Sequence, residues 1–348
     1  VGRAISFFNP NLRDPYMQRW SLNIQHELPG RAVVEIGYVG NRGTKLTSSR
    51  EIDAAPNRYL STSGARDQPT IDYLSQQVAN PFAGLPQFAG TNLISATVAR
   101  SQLLRPYPAF AGITFNSNDG MSWYHGLLVN AEKRFSHGLL FQTNWTWSKF
   151  MERMDFLNGG DLTPSRAPSP QDTTHRFSTN VVYELPFGKN RRMLSSVNRF
   201  WDTLVGGWQI EGSYEGQSGA PLGFGNFIFN GNLADIPLDN SVRKAERWFN
   251  TDAGFENRTA FQLGSNVRTM PSRFSGVRGD GINNLDASIM KIFHITERLR
   301  GQFRLEGINA CNHVQFADPN TSVASSAFGS IRAEKGHGQR QVNFVFKL

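Results

Sequence analysis

Leu139 to Phe150 reads LLFQTNWTWSKF. Leu139, Phe141, Thr143, Trp145 and Trp147 fall on one parity, and Leu140, Gln142, Asn144, Thr146 and Ser148 on the other. Side chains alternate across a strand, so the segment reads as a β-strand with one greasy and one mostly wet face. The split recurs outward from it. Trp20, Leu22 and Ile24 oppose Arg19, Ser21, Asn23 and Gln25, and Phe177, Thr179, Val181, Tyr183 and Leu185 oppose Arg176, Ser178, Asn180 and Glu184. Trp208, Ile210 and Tyr214 oppose Gln209, Glu211, Ser213 and Glu215. Near the end Phe303 and Leu305 oppose Gln302, Arg304 and Glu306, and Val342, Phe344, Phe346 and Leu348 oppose Gln341, Asn343 and Lys347. Weaker versions lie at 32–40, 127–135 and 285–293, giving about nine strands.

The connectors alternate as well. Pro29-Gly30, Ser136-His137-Gly138 and a turn around Thr296 to Arg298 read as hairpin turns. Between them stand long polar stretches at 41–121, 151–173, 219–283 and 313–338. Nothing enforces such alternation in a soluble sandwich, whereas a transmembrane barrel has short periplasmic turns and long extracellular loops. The predicted class is all-β: an antiparallel transmembrane β-barrel of the bacterial outer membrane. With the last strand running inward, every short turn is periplasmic and every long stretch extracellular. The one long connector on the periplasmic side is 187–207, which carries Lys189, Arg191, Arg192 and Arg199.

Composition agrees with this class. Hydrophobic residues are 39%, charged residues 18%, and Gly (33) and Phe (26) are abundant, at a mean hydropathy of −0.41. No run of about 18 apolar residues exists, which excludes a transmembrane helix but not strands of roughly 9 to 11 residues. The net charge of +8 comes from Lys and Arg spread over the whole chain. That distribution suits phosphorylated glycolipid, the lipopolysaccharide and lipid of an outer membrane, with no nucleic-acid partner expected. The single cysteine, Cys311, has no disulfide or metal partner in the sequence.

Trp and Tyr collect at the edges of a bilayer. Trp20, Trp123, Trp145 and Trp147 are placed toward the outer strand ends, and Tyr183, Trp208 and Phe293 toward the inner ends. Lys133 and Lys291 share the lipid-facing parity, and a lysine at mid-bilayer costs about 2 to 4 kcal/mol against roughly 0 to 1 near the interface. Both sit near predicted periplasmic ends.

Nine strands are an odd number for a single-chain bacterial barrel, so residues 1–348 are expected to be the C-terminal part of a larger one. DPYMQRWSLNIQHELPG (14–30), followed by VVEIGYVGNRGTKL, resembles a strand pair of TonB-dependent transporters of the Oar-like group. In family order, QLLRPYPAFAGI (102–113), SWYHGLLVNAEKRFSHGLLFQTNWTWSK (122–149) and HRFSTNVVYELPFGKNRR (175–192) are similar to that barrel. So are GGWQIEGSYEGQSGAPL (206–222) and LDASIMKIFHITERLRGQFRLEGINACNHVQFADPN (285–320). The resemblance implies about 22 strands around a plugged lumen. It also implies a plug and a segment for the TonB-type energising complex upstream of Val1, outside this chain.

No nucleophile elbow, zincin helix, P-loop or paired-Cys zinc spacing occurs, so no enzyme, cofactor or metal is expected. Glu211 and Glu215 share a strand face, but their backbones would stand roughly 13 Å apart, wide for a glycosidase pair. GVRGDG (276–281) contains Arg-Gly-Asp, more simply read as a loop approaching a strand. Arg176, Arg300, Arg304 and Glu306 have lumen parity and would meet a plug or a solute, or else form cross-strand ion pairs. Tyr59, Tyr73, Phe82, Phe88, Tyr107, Trp248, Phe249, Phe255 and Phe261 lie in the long loops, suited to stacking on a ligand or to packing the loops together.

Three functions fit: a receptor admitting a bulky scarce solute, an adhesion barrel displaying loops, and a soluble secreted carbohydrate-binding sandwich. Cell fractionation separates the last from the others. The full-length protein is expected in the outer-membrane pellet, extracted only by detergent, with heat-dependent gel mobility; a soluble product with fixed mobility would sink the barrel.

Overall fold

The computed structural model describes residues 1–295, 299–336 and 338–348. Its strands are β1 (Ala4–Phe8), β2 (Tyr16–Leu28), β3 (Ala32–Glu51), β4 (Gln77–Ala79), β5 (Thr97–Ala99), β6 (Gly112–Ser136) and β7 (Leu139–Arg153). There follow β8 (Arg166–Pro168), β9 (His175–Glu184), β10 (Trp208–Gln217), β11 (Ile282–His294), β12 (Arg300–Ile308) and β13 (Gln341–Lys347). Three α-helices, α1 (Gln68–Ser75), α2 (Arg100–Leu103) and α3 (Arg199–Val205), lie in the connectors. One sheet of 11 strands runs β13-β12-β11-β10-β9-β7-β6-β3-β2, with β1 and β8 added to β6 and β7. Neighbours on that path are antiparallel and are the expected strands in the expected order. The sheet is open among the described residues, with β2 and β13 at its edges.

Register verifies the face assignment. Leu22 stands opposite Tyr38, Tyr38 opposite Leu127, and Leu127 opposite Trp147. On the other wing Tyr183 faces Leu139 and Ile210, Ile210 faces Ile289, Ile289 faces Leu305, and Leu305 faces Phe344. This face is bare: Leu22 and Ile24 are each 67% exposed and Phe344 72%. A contiguous apolar surface this large is what the expected transmembrane barrel would turn toward lipid.

The turns explain the hairpins. His137 and Gly138 both have positive φ (53° and 80°), the backbone of a type I′ turn that matches strand twist. A Cβ on Gly138 would also lie 3.0 Å from the Glu184 carbonyl oxygen. The turn expected around Thr296 to Arg298 lies outside the described residues, although the pairing of His294 with Arg300 brings its flanks together.

Two boundaries are corrected. The connector expected at 41–121 is shorter, because β3 runs on to Glu51 and β6 begins at Gly112. At about 3.3 Å per residue, a strand of 25 residues is far longer than a bilayer requires. The extension was hidden because RGTKLTSSRE carries no apolar alternation: its buried positions are Gly43, Thr44 and Ser48, none of them a large apolar residue. Lys45 sits at a register shift with φ of 56°, its ammonium 5.0 Å from the Tyr16 ring. β1 runs parallel to the outer end of β6, pairing Ala4 with Gly112 through Phe8 with Asn116.

The apolar core lies not between strands but inside the extracellular loops. Leu222, Phe224, Phe227, Ile236, Trp248, Phe249 and Phe274 form it, with Phe255, Phe316 and Phe328 packed against it. Phe224 alone meets five phenyl rings within 6.2 Å. Phe88, Trp248, Phe249 and Phe255 are therefore packing residues, whereas Tyr73, Tyr107 and Phe261 remain exposed.

Asp172 fastens this layer to the wall. Its carboxylate is wholly buried, accepts from the Phe150 N–H at 2.6 Å and from Lys149 Nζ at 3.2 Å, and is paired with Arg278. Arg278 also donates to the Asp172 and Gly219 carbonyls at 2.8 and 2.9 Å. The Arg-Gly-Asp triplet is thus turned inward, with Asp280 accepting from the Phe316 N–H at 2.7 Å. Removing one partner of a buried pair strands the other, so Asp172→Ala is expected to destabilise the loop layer by about 3 to 5 kcal/mol. Urea-dependent proteolysis of the 219–281 loop in membrane-embedded full-length protein measures this; protease resistance equal to the parent would contradict it.

Candidate functional site: the lumen wall

The polar parity of β10, β11 and β12 builds one cluster. Register sets Glu211 beside Ser288, and Ser288 beside Glu306. Glu211 Oε2 accepts from Arg304 Nη2 at 2.8 Å and from Ser288 Oγ at 3.1 Å, and its Oε1 accepts from Gln209 Nε2 at 3.1 Å. Arg304 Nε stands 2.9 Å from Glu306 Oε1. Asp286 borders the same groove, accepting from Asn284 Nδ2 at 3.0 Å and the Asn309 N–H at 2.8 Å. The groove has a volume of about 520 Å³, and Asn180 and Ser213 complete its polar side. Three carboxylates (Glu211, Asp286, Glu306) face one guanidinium (Arg304), so the patch carries net negative charge. It is suited to hydroxyl donors and cations more than to anions.

Of the four residues with expected lumen roles, only Arg304 and Glu306 come together. Arg176 pairs with Glu215 at 3.1 Å. It lies eight residues along β9 from Glu184, the β9 residue in the Arg304 row, or roughly 26 Å away at strand rise. Arg300 stands at the inner end of β12, in a separate cavity of about 420 Å³ with Glu184, Lys189, Arg199 and Asp202. Glu211 and Glu215 are each engaged by a different arginine. The parity rule already put Glu211 on the wet face, whereas Asp286 and Ser288 were not singled out, and only the strand register shows that they adjoin Arg304.

A second cavity of about 520 Å³ opens among the loops above β10 and β11, bordered by Gln217, Arg243, Trp248, Asp280 and His313. Arg243 lies over the Trp248 ring at 4.9 Å. Burial holds its guanidinium below the usual value, against the pull of Asp280. In the loop between β3 and β6, burial pushes the Asp53 carboxyl up, opposed by the Tyr107 N–H and Arg105.

The interface aromatics are placed as follows. Trp20 lies across Gly40, where a Cβ would come within 2.4 Å of the indole. Trp145 stacks on His175 at 6.0 Å, Trp123 is flanked by Arg153 and Arg166 at 6.0 and 5.9 Å, and Trp147 is exposed. Toward the periplasm, Tyr183 faces Leu139 and Ile210, and Phe293 covers Gly301 and approaches Phe346 at 6.4 Å. Trp208 lies under Lys291 Nζ at 5.2 Å. The two lipid-parity lysines both end on carbonyls: Lys133 on Gly30 at 2.6 Å, and Lys291 on Leu204 at 3.2 Å and on Gly206.

A search of curated proteins finds no match to the chain. Among solved structures, it is similar to the outer membrane transporter YddB from Escherichia coli (TM-score 0.46, 9% identity, 99% of this chain and 34% of that one). It is also similar to the FrpB iron transporter from Neisseria meningitidis, F3-3 variant (0.41, 9%, 99% and 32%). A third likeness is to the siderophore receptor PiuA from Acinetobacter baumannii (0.21, 11%, 95% and 55%). The chain spans about a third of the length of the first two. The model of the outer membrane beta barrel domain family matches residues 1–343. Nearly the whole chain is thereby accounted for, and the protein belongs to the outer membrane beta barrel domain family, a resident of the bacterial outer membrane.

Proposed function

We propose that this barrel wall is part of a receptor that admits a bulky, scarce solute by energised, plug-gated transport. The observation that carries the reading is the net-negative patch of Glu211, Asp286, Glu306 and Arg304 on the lumen wall, inward of a packed loop layer. A plug in contact with that wall would replace part of the solvent there, and movement of the plug would expose hydroxyl acceptors to a passing solute. A chelate or an oligosaccharide, rich in hydroxyls, fits this chemistry better than a free anion. Coupling to a TonB-type complex would come from a segment outside residues 1–348. No catalytic step is proposed.

One observation favours a second reading, surface adhesion. β3, β6 and β1 extend the sheet well past the membrane, and a long rigid tongue is apt for presenting loops to other surfaces.

Growth of a deletion strain on single scarce nutrients, with ferric chelates and oligosaccharides as probes, separates the two. Transport predicts loss of growth on one probe, restored by the parent gene only in a host with an intact energising complex. Glu211→Ala combined with Arg304→Ala is expected to lower uptake of that probe about tenfold, the scale of two lost charge-assisted contacts, while surface binding persists. Unchanged growth on every probe together with lost cell attachment would overturn transport in favour of adhesion.

A further inference from the structure

The connector at 187–207 is the long one on the periplasmic side, and it holds α3, capped by Asn198, whose Oδ1 accepts from the Trp201 N–H at 3.0 Å. Within α3, Phe200, Trp201 and Leu204 are 68%, 54% and 52% exposed. At about 100° per residue, positions i, i+1 and i+4 share one helix face. On the other side Asp202 accepts from the Lys189 N–H and borders the cavity shared with Arg300. The helix thus has a polar side toward the barrel base and an apolar side toward its surroundings.

Two contacts fix where that apolar side lies. Trp208 Nε1 donates to the Leu204 carbonyl at 2.9 Å, and Lys291 Nζ donates to the Leu204 and Gly206 carbonyls. Trp208 and Lys291 belong to the lipid-facing row that continues through Phe303 and Phe346. The end of α3 is therefore docked on the lipid side of the rim, and Phe200, Trp201 and Leu204 prolong the apolar band at its periplasmic edge. The same connector carries Lys189, Arg191, Arg192 and Arg199: Lys189, Arg191 and Arg199 line the cavity with Asp202 and Arg300, and Arg192 lines a neighbouring one with His137 and Tyr183. Arg191 is paired with Glu184 at 2.9 Å, whereas among the described residues Lys189, Arg192 and Arg199 form no ion pair.

We infer that α3 is an interfacial anchor that binds anionic phospholipid of the periplasmic leaflet, with Phe200, Trp201 and Leu204 in the acyl boundary and Lys189, Arg192 and Arg199 on the headgroup phosphates. Continuity with the lipid face selects a membrane over a protein as the occupant, and an aromatic and leucine face on a basic connector whose Lys189, Arg192 and Arg199 form no ion pair among the described residues is what an interfacial helix requires. Lys291 gains from the same arrangement: the last carbonyls of the α3 segment receive its ammonium, and the residue is 7% exposed although its parity points to lipid.

The test uses full-length protein in nanodiscs, comparing brominated phosphatidylglycerol with brominated phosphatidylcholine at one lipid in three. The Trp201 signal is the difference between wild type and Trp201→Phe. Its quenching is expected to be about twofold or more stronger with the brominated anionic lipid. Lys189→Gln with Arg192→Gln and Arg199→Gln should abolish that excess while leaving quenching by the neutral lipid. Equal quenching by the two lipids in wild type would overturn the headgroup site. Absence of quenching by either would overturn membrane docking and assign this face to a periplasmic protein. Should Trp201→Phe fail to insert, wild-type protein is crosslinked with photoreactive phosphatidylglycerol. Label on peptide 199–208 supports the anchor, and label confined to strand peptides refutes it.

Discussion

Water is absent from the hydrocarbon of a bilayer, so every backbone N–H and C=O there must find a partner in the chain itself. All else in this molecule follows from that demand. A ladder of nine antiparallel strands meets it for the interior strands. The two edges do not. β2 is exposed along its whole length and β13 along nearly all of it, and in lipid their outward rows require further strands to pair with. An open sheet of this kind is a portion of a barrel wall, and its edges would recruit any available strand in water.

The demand also explains which parts were legible in the sequence. Where one face meets lipid and the other meets water, each strand must alternate, and Leu139 to Trp147 or Phe177 to Tyr183 show it plainly. Past Gly40 on β3 and before Met121 on β6 the apolar alternation vanishes, with small or polar Gly43, Thr44 and Ser48 buried and Arg42, Thr47 and Ser49 exposed, although the strands continue. Periodicity reports a difference between two environments, not the strand itself. The lumen cluster was legible only by halves. Parity placed Arg304 and Glu306 on the wet face, yet neighbourhood across strands depends on register, which stagger and turn length set. Arg176 and Arg300 share the parity of Arg304 and stand far from it.

The loops invert the usual arrangement of a soluble protein. Large apolar side chains on the strands are bare, and the close-packed phenyl cluster sits in irregular chain above the membrane. Irregular backbone has no ladder to hold it, so the loops need a core of their own and fixed attachments to the wall. Asp172 with Arg278 and Lys149 supplies one such attachment, and Asp53 at the Tyr107 N–H ties the β3–β6 loop to itself. Sequence patterning has no period to detect in such a core, because its residues come from turns of many geometries. That is why Trp248 and Phe249 looked equally suited to binding and to packing until their neighbours were known.

Charge on the lipid face is tolerable only where a polar group can reach it. Lys133 and Lys291 satisfy this in two ways. Lys133 needs only its own hairpins, because the Gly30 carbonyl and Ser136 Oγ lie within 2.6 Å of its ammonium. Lys291 is met by a different segment. Its partners come from the segment at the end of α3, so the one long periplasmic connector and the one deeply covered lipid-side lysine are parts of a single arrangement. A helix that must bring its carbonyls to that lysine is held at the rim, and a helix held at the rim has to present an apolar face there. Phe200, Trp201 and Leu204 are that face, which makes the unusual connector a consequence of the charge it covers.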